Sequence, residues 1–285
     1  GEVLRGVSLD IAAGESVALL GANGAGKTTL TRLLVGLIRP SAGQVTVGDW
    51  DVGTKRPDEL ARRVGYAFQH ADQQLFARTV REDVAFGPLS LGWSKDGVAW
   101  AMDELGLARF AEVHPYDLPA PARKLVTLAG VLAMRPGLLV LDEPTAGFDR
   151  KRRELVIGVL RRRLAEGVTL LVVSHDLGFV AEIAERIAVM KEGAIAADRP
   201  ARELLRDGDA LGALGLAPPP AAALGLRLDP NHHRAAARIR RIVHPRARLG
   251  AQVERALVDV QLAVRRAHLD RRRKHLVVQR EDRLD

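Results

Sequence analysis

Gly21-Ala22-Asn23-Gly24-Ala25-Gly26-Lys27-Thr28 fits G-x4-G-K-[ST], a spacing suited to holding phosphate. Its glycines let the backbone wrap so that successive N–H groups point into one concavity. A helix starting at Lys27 would add the positive end of its dipole. Lys27 is then placed to reach the outer phosphate oxygens, and the Thr28 hydroxyl to hold Mg²⁺. A Gly-rich turn can arise by chance, but this one lies between a short apolar strand at 16–20 and a helical run at 27–38, as the mechanism requires. Gly21, Asn23, Gly24, Ala25, Gly26, Lys27, Thr28 and Thr29 are therefore the expected phosphate-binding set.

The apolar run 138–141 ends in Asp142-Glu143, 115 residues after Lys27. Alone this is a strand end with a polar turn. Paired with the phosphate loop it supplies Asp142 to hold Mg²⁺ through its water shell, and Glu143 to polarise an attacking water. Ser174-His175-Asp176 follows the next predicted strand. A histidine at a strand end is commonly structural. After a parallel strand, however, it lies where ligands bind, and His175 can donate to the terminal phosphate. Gln69 ends a strand at 64–68 and stands at the mouth of a helical segment. It is placed to bind Mg²⁺ and the water and to move when the terminal phosphate leaves. The candidate catalytic residues are Glu143, His175 and Gln69, and the candidate Mg²⁺ set is Thr28, Gln69 and Asp142.

The elements that would position these groups alternate. Strands are predicted at 3–11, 16–20, 44–47, 63–68, 138–141, 169–173 and 186–190. Helices are predicted at 27–38 (ended by Pro40), 150–165 and 177–184. Residues 71–135 are mostly helical in pattern, with apolar spacing at 79–86, 97–105 and 123–134. Strand–helix alternation argues for an α/β fold with a mostly parallel sheet and right-handed crossovers. The block 71–135 would be a helical insert in it. A Pro/Ala-rich stretch at 215–222 reads as a linker.

Composition is compatible with this. The 285 residues are 47% hydrophobic, enough for one large α/β domain plus an appendage. The absence of cysteine excludes disulfides and thiolate metal sites. No apolar run reaches the roughly 18–20 residues needed to span a bilayer, and no basic-then-apolar leader opens the chain. The sequence begins in mid-pattern without an initiator Met, so a first strand is expected to precede Gly1. The net charge of +8 is local: residues 231–285 hold 15 Lys/Arg against 6 Asp/Glu, and residues 1–230 hold 28 against 29. The basic character belongs to the tail.

In this order the motifs identify a family. Residues 1 to about 228 resemble ATP-binding-cassette (ABC) proteins, through the loop 21–28, Gln69, 138–143, Ala146-Gly147-Phe148-Asp149 and Ser174-His175. The segment 68–88 and the run 128–134 are similar to the ATPases of energy-coupling-factor (ECF) importers, including the cobalt and nickel type. The resemblance implies a P-loop NTPase cassette with an antiparallel N-terminal β part and the helical insert at 71–135. The implied cofactors are ATP and Mg²⁺, with Asp149 at the nucleotide through its loop. It also implies a second ATPase subunit, a transmembrane coupling subunit and a small substrate-binding membrane protein. Location would be peripheral, on the cytoplasmic face of a prokaryotic cell membrane, with vitamins or transition-metal ions as cargo. Residues 72–80 would contact the coupling subunit. ATP binding would close a dimer and hydrolysis would open it.

Three features depart from that family. Its Leu-Ser-Gly-Gly-Gln signature is here Leu118-Pro119-Ala120-Pro121-Ala122, without the serine or either glycine. In the family this segment reaches the γ-phosphate of the partner's ATP, so the chain is expected to be a poor donor. It is either half of an asymmetric pair or a weakened copy. The family's adenine-stacking aromatic falls just before Gly1, and none stands before Val7, so weak adenine binding is expected of residues 1–285. The segment 229–285 has no family match and holds five of the eight histidines. A helix at 251–269, a solvated tail, a shifted or fused reading frame and a contact to anionic lipid or nucleic acid are all open there. An ATPase of another transporter class is a second reading, and the segment 68–88 argues against it. A nucleic-acid-directed ABC ATPase is a third. The 115-residue gap leaves no room for a long coiled coil, and only one cassette is present, so nucleic acid is not an expected partner.

Overall fold

The computed structural model describes residues 3–217 and the backbone strand His275–Gln279. Its strands are Leu9–Ala12 (β1), Ser16–Gly21 (β2), Gln44–Val47 (β3), Trp50–Asp51 (β4), Val64–Ala67 (β5), Leu138–Asp142 (β6), Thr169–Val173 (β7), Arg186–Lys191 (β8), Ala194–Pro200 (β9) and His275–Gln279 (β10). The helices are Lys27–Leu34 (α1), Pro57–Leu60 (α2), Val80–Ser90 (α3), Asp96–Glu104 (α4), Ala120–Ala133 (α5), Arg150–Ala165 (α6), Leu177–Ile183 (α7), Ala201–Leu204 (α8) and Gly208–Ala213 (α9).

Strands β2, β5, β6 and β7 are buried at every position. Val, Leu and Ala fill them without alternation because helices or a second sheet cover both faces. They form a six-stranded sheet in the order β5-β6-β7-β2-β8-β9, parallel except for the returning β9. All five parallel strands therefore end at one edge. On one face, a core of Leu30, Leu34, Val45, Val47, Ile11 and Leu19 joins the sheet to α1 and to the smaller antiparallel sheet β1-β10-β3-β4. On the other, α6 packs beside α3, α4 and α5 around Val84, Met102, Leu132 and Val159. The expected parallel core, antiparallel β part and helical insert are all present.

Several boundaries differ from the sequence expectation. Residues 3–8 are irregular, and β1 starts only at Leu9. Helix α1 stops at Leu34, short of Pro40, because Gly36 takes a left-handed φ of 70°. A Cβ there would also lie 2.5 Å from Leu60 Cδ1. Helix α5 begins at Ala120, three residues before the expected start. Pro119 caps it and Pro121 sits in its first turn, where a missing N–H breaks no intrahelical bond. Strand β9 escapes the pattern because its residues face solvent at an edge, half-buried or exposed throughout.

Of the segment 229–285 only one strand is described. His275–Gln279 runs antiparallel to both β1 and β3 and fills the place between them. The predicted helix at 251–269 and the linker beyond residue 217 lie outside the described residues.

The insert depends on close approach of α4 to α5. A Cβ on Gly97 would lie 2.2 Å from the Ala133 carbonyl oxygen. Gly97→Ala is expected to destabilise the chain by about 1–3 kcal/mol through overpacking, read as a lower melting temperature in a thermal scan. An unchanged melting temperature would contradict this packing.

Candidate functional site

The carboxyl ends of β2, β5, β6 and β7 deliver the predicted residues to one cleft of about 200 Å³. Asn23, Gly24, Gly26, Lys27, Thr28, Thr29, Gln69, Asp142, Glu143 and His175 line it, with Val173 and Val3. Val3 is half exposed on the rim, and nothing in its type marks it in the sequence. Gly21 and Ala25 belong to the loop but not to the lining. Asp149 lies away from the cleft within this chain. Its carboxylate caps α6, accepting from the Arg152 N–H at 2.8 Å, and pairs with the Arg152 guanidinium.

The loop's shape follows from its glycines. Gly21, Gly24 and Gly26 have φ of 143°, 81° and 102°, conformations that side chains disfavour. At Gly21 a Cβ would meet the Met190 carbonyl oxygen at 2.2 Å. Lys27 opens α1 and is buried. Its ammonium donates to the carbonyl oxygens of Gly21 at 2.7 Å and Ala22 at 2.9 Å, so the lysine folds back over its own loop. Burial pushes its pKa down, opposed by the charges of Asp142 and Glu143. Thr28 is exposed to the cleft.

Asp142 and Glu143 are both buried. Burial pushes each carboxyl up. For Asp142 the main opposing charges are Lys27 and Lys124; for Glu143 the main one is His175. Glu143 also takes a left-handed φ of 50°, which costs a non-glycine residue of order 1 kcal/mol or more. Its N–H donates to the Val173 carbonyl at 2.8 Å. Its Oε2 accepts from the Ser174 hydroxyl at 3.3 Å. Its Oε1 is buried without a hydrogen-bond partner, and His175 Nε2 stands 3.6 Å away. A buried acceptor left open beside a solvent-facing histidine is suited to holding a water.

Ser174 and Gln74 fall in the motif Ser174-His175 and the segment 72–80, but neither is among the residues expected to line the site. Ser174 is fully buried and also accepts from the Asp176 N–H at 3.1 Å. Gln74 accepts from the Phe68 N–H at 2.9 Å and donates to the Tyr66 carbonyl at 3.0 Å, which pins the strand end that presents Gln69. Neither is separable in sequence from ordinary polar loop residues. Lys124 donates to the Glu143 carbonyl at 2.6 Å, and its place in a helix gave no hint of that reach.

Among the described residues no cluster of three or more His, Asp or Glu could hold a metal. A divalent cation would therefore need other oxygens besides Asp142, Thr28 and Gln69. An oxygen-only donor set completed by phosphate is what Mg²⁺ accepts, so these residues fit a phosphate-bound Mg²⁺. No helix among the described residues is long and apolar enough to cross a membrane.

Comparison with known proteins agrees with this arrangement. The model of the family described as ABC transporter matches residues 4–146. The chain is 38% identical over 231 residues to the energy-coupling factor transporter ATP-binding protein EcfA of Methanothermobacter thermautotrophicus, covering 79% of this chain and 74% of that one. It is 41% identical over 224 residues to the cobalt import ATP-binding protein CbiO of Rhodobacter capsulatus, covering 76% and 80%. The structure of cbiO1 from Clostridium perfringens, described as part of the ABC transporter complex cbiONQ, superposes with a TM-score of 0.66. Its sequence identity is 29%, covering 84% of this chain and 92% of that one.

The buried Glu143 gives a pH-dependent expectation. Its carboxyl is raised by burial, so ionising it in the folded state opposes folding. That cost is full above the raised pKa and vanishes below the ordinary carboxylate range. Glu143→Gln is expected to raise the melting temperature of the nucleotide-free chain by a few degrees at pH 8, about 1 kcal/mol. The gain should shrink as pH falls toward 4. A gain that grows on acidification would contradict it.

Proposed function

This chain belongs to the ABC transporter family, and on that premise we propose that it is the ATP-hydrolysing subunit of an ECF-type importer. It would power uptake of a vitamin or a transition-metal ion through membrane partners. One observation carries the reading: four parallel strand ends bring the loop 21–28, Gln69, Asp142, Glu143 and His175 to one cleft. The cassette is taken as residues 1–228.

In the proposed chemistry the loop amides and the Lys27 ammonium hold the β- and γ-phosphates of ATP. Mg²⁺, held by Thr28, Asp142 and Gln69, would neutralise phosphate charge when bound. Glu143 orients a water at its free Oε1 for attack on the γ-phosphorus, and its burial-raised pKa makes it a better proton acceptor than an ordinary carboxylate. The water oxygen bonds to phosphorus, the bond to the ADP oxygen breaks, and His175 donates to the terminal phosphate. Gln69 reports the loss of that phosphate to the insert.

The surface that receives this signal is a groove between α3 and α5, lined by Gln73, Leu75, Phe76, Phe86, Val126 and Met134. Phe76 and Phe86 pack edge to face at 4.5 Å yet remain 61% and 51% exposed. Large exposed aromatics at a groove suit a protein partner, here the transmembrane subunit at the cytoplasmic face of the membrane.

The pair is proposed to be asymmetric. A helix start ordinarily offers several free N–H groups to an anion. At α5, Pro121 has none, and the N–H groups of Ala122 and Arg123 both turn back to the Pro119 carbonyl, at 2.8 and 3.0 Å. Pro119 and Ala120 add no donor side chain. This chain would thus cradle the phosphates of its own ATP and stabilise a partner's ATP poorly.

Two measurements test these proposals. The purified chain alone should hydrolyse ATP at least tenfold more slowly than when mixed with a partner cassette carrying an intact signature; strong turnover alone would overturn the asymmetric reading. Phe76→Asp with Phe86→Asp should abolish co-purification with the transmembrane subunit and leave nucleotide binding within twofold. Retained co-purification would place the membrane contact elsewhere. ATP-driven cargo uptake by the reconstituted complex, lost with Lys27→Ala, is the direct assay of the function.

A further inference from the structure

The start of α5 reaches the two segments that follow Gln69 and carry Glu143 at the cleft. Lys124 donates to the carbonyl oxygens of Glu143 at 2.6 Å and Ala146 at 3.4 Å. Its neighbour Arg123 turns the other way: its Nε lies 3.0 Å from Asp72 Oδ1, just past Gln69, without the alignment of a hydrogen bond. Tyr116, just before α5, donates to the carbonyl oxygens of Asp72 and Leu75, each at 3.2 Å.

The Glu143 contact is the more consequential. Glu143 is held at a positive φ that its side chain disfavours, so something must fix both sides of that residue. Its N–H is fixed by Val173. Its carbonyl is met by the Ala146 N–H at a long 3.3 Å and by the Lys124 ammonium at 2.6 Å. A charge-assisted bond is roughly twice as strong as a neutral one, so Lys124 is the main restraint on the carbonyl side. Lys124 is also anchored through its own backbone, whose carbonyl accepts from Thr127 Oγ1 at 2.9 Å. A link therefore runs from the helical insert, through one ammonium, to the backbone that aims the Glu143 carboxylate.

We propose that Lys124 is a positioning residue: it holds the Glu143 backbone from the helical insert and so makes hydrolysis depend on where the insert sits. The proposal rests on the ATPase reading for its catalytic consequence, but the contact itself can be tested without turnover.

The test combines amide hydrogen exchange on the purified chain with turnover by the assembled transporter complex. Lys124→Met should raise exchange in peptides spanning 143–149 at least fivefold and leave α5 protected. Affinity for ATP should stay within twofold while kcat of the complex falls at least tenfold. Lys124→Arg, which keeps a charged donor, should recover most of both readouts. Arg123→Met should loosen 70–75 without loosening 143–149. Unchanged exchange at 143–149 in Lys124→Met would overturn the proposal. So would equal loosening by Arg123→Met, or unchanged kcat. A parallel fall in affinity and kcat, with α5 itself losing protection, would show a general structural role and overturn it too. If the wild-type complex does not turn over ATP, the ATPase reading fails, and the exchange arm still decides whether Lys124 restrains Glu143.

Discussion

Two adjacent carboxylates, Asp142 and Glu143, are buried at the end of β6, and the rest of the structure has to make that tolerable. Burying an ion costs several kcal/mol unless it is paired. The compensation comes from separate parts of the chain: Lys27 from the loop after β2, Lys124 from the insert, and His175 from the end of β7. Lys27 and His175 are brought there by the parallel sheet, whose strands deliver their carboxyl ends to one edge, and Lys124 by the placement of α5 beside that edge. The compensation is incomplete, since both carboxyls remain raised and Glu143 Oε1 has no hydrogen-bond partner. A site left short of positive charge and hydrogen bonds is suited to a bound cation and water.

The same arrangement would let one domain both hold a nucleotide and sense it. Lys27 and the loop amides depend only on the sheet and α1. Gln69 and Glu143 are tied to the insert as well, through Gln74, Tyr116 and Lys124. Movement of α3–α5 would thus reach the water-facing groups while leaving the phosphate cradle in place. The exposed Phe76–Phe86 pair lies on that same insert, so a partner gripping it would be linked to the site.

Much of this was legible in the sequence because it rests on local patterns. The apolar run 138–141, in a chain where strand and helix patterns alternate, reads as a strand buried on both faces, and a G-x4-G-K-T loop after such a strand has few other uses. The cleft residues named from sequence, from Asn23 to His175, do converge. What was not legible depends on long-range contact or on backbone conformation. Gly36 stops α1 by taking a left-handed φ at a point where Leu60 leaves no room for a side chain, and no count of helix formers reveals that. Glu143 at positive φ and Lys124 on its carbonyl arise from the packing of α5 against the end of β6. Asp149, expected at the nucleotide, instead caps α6 and lies off the cleft, because its carboxylate is taken up by the Arg152 N–H and guanidinium. Strand β10 pairs with segments more than two hundred residues earlier, beyond any local signal.

The central claim is that the cleft binds the phosphates of ATP through Lys27 and its loop. Calorimetric titration of the purified chain with Mg-ATP tests it most directly. The account predicts one nucleotide bound per chain, with affinity falling at least tenfold, about 1.4 kcal/mol, in Lys27→Ala. Equal affinity in the two proteins, or no binding by the wild type, would contradict it.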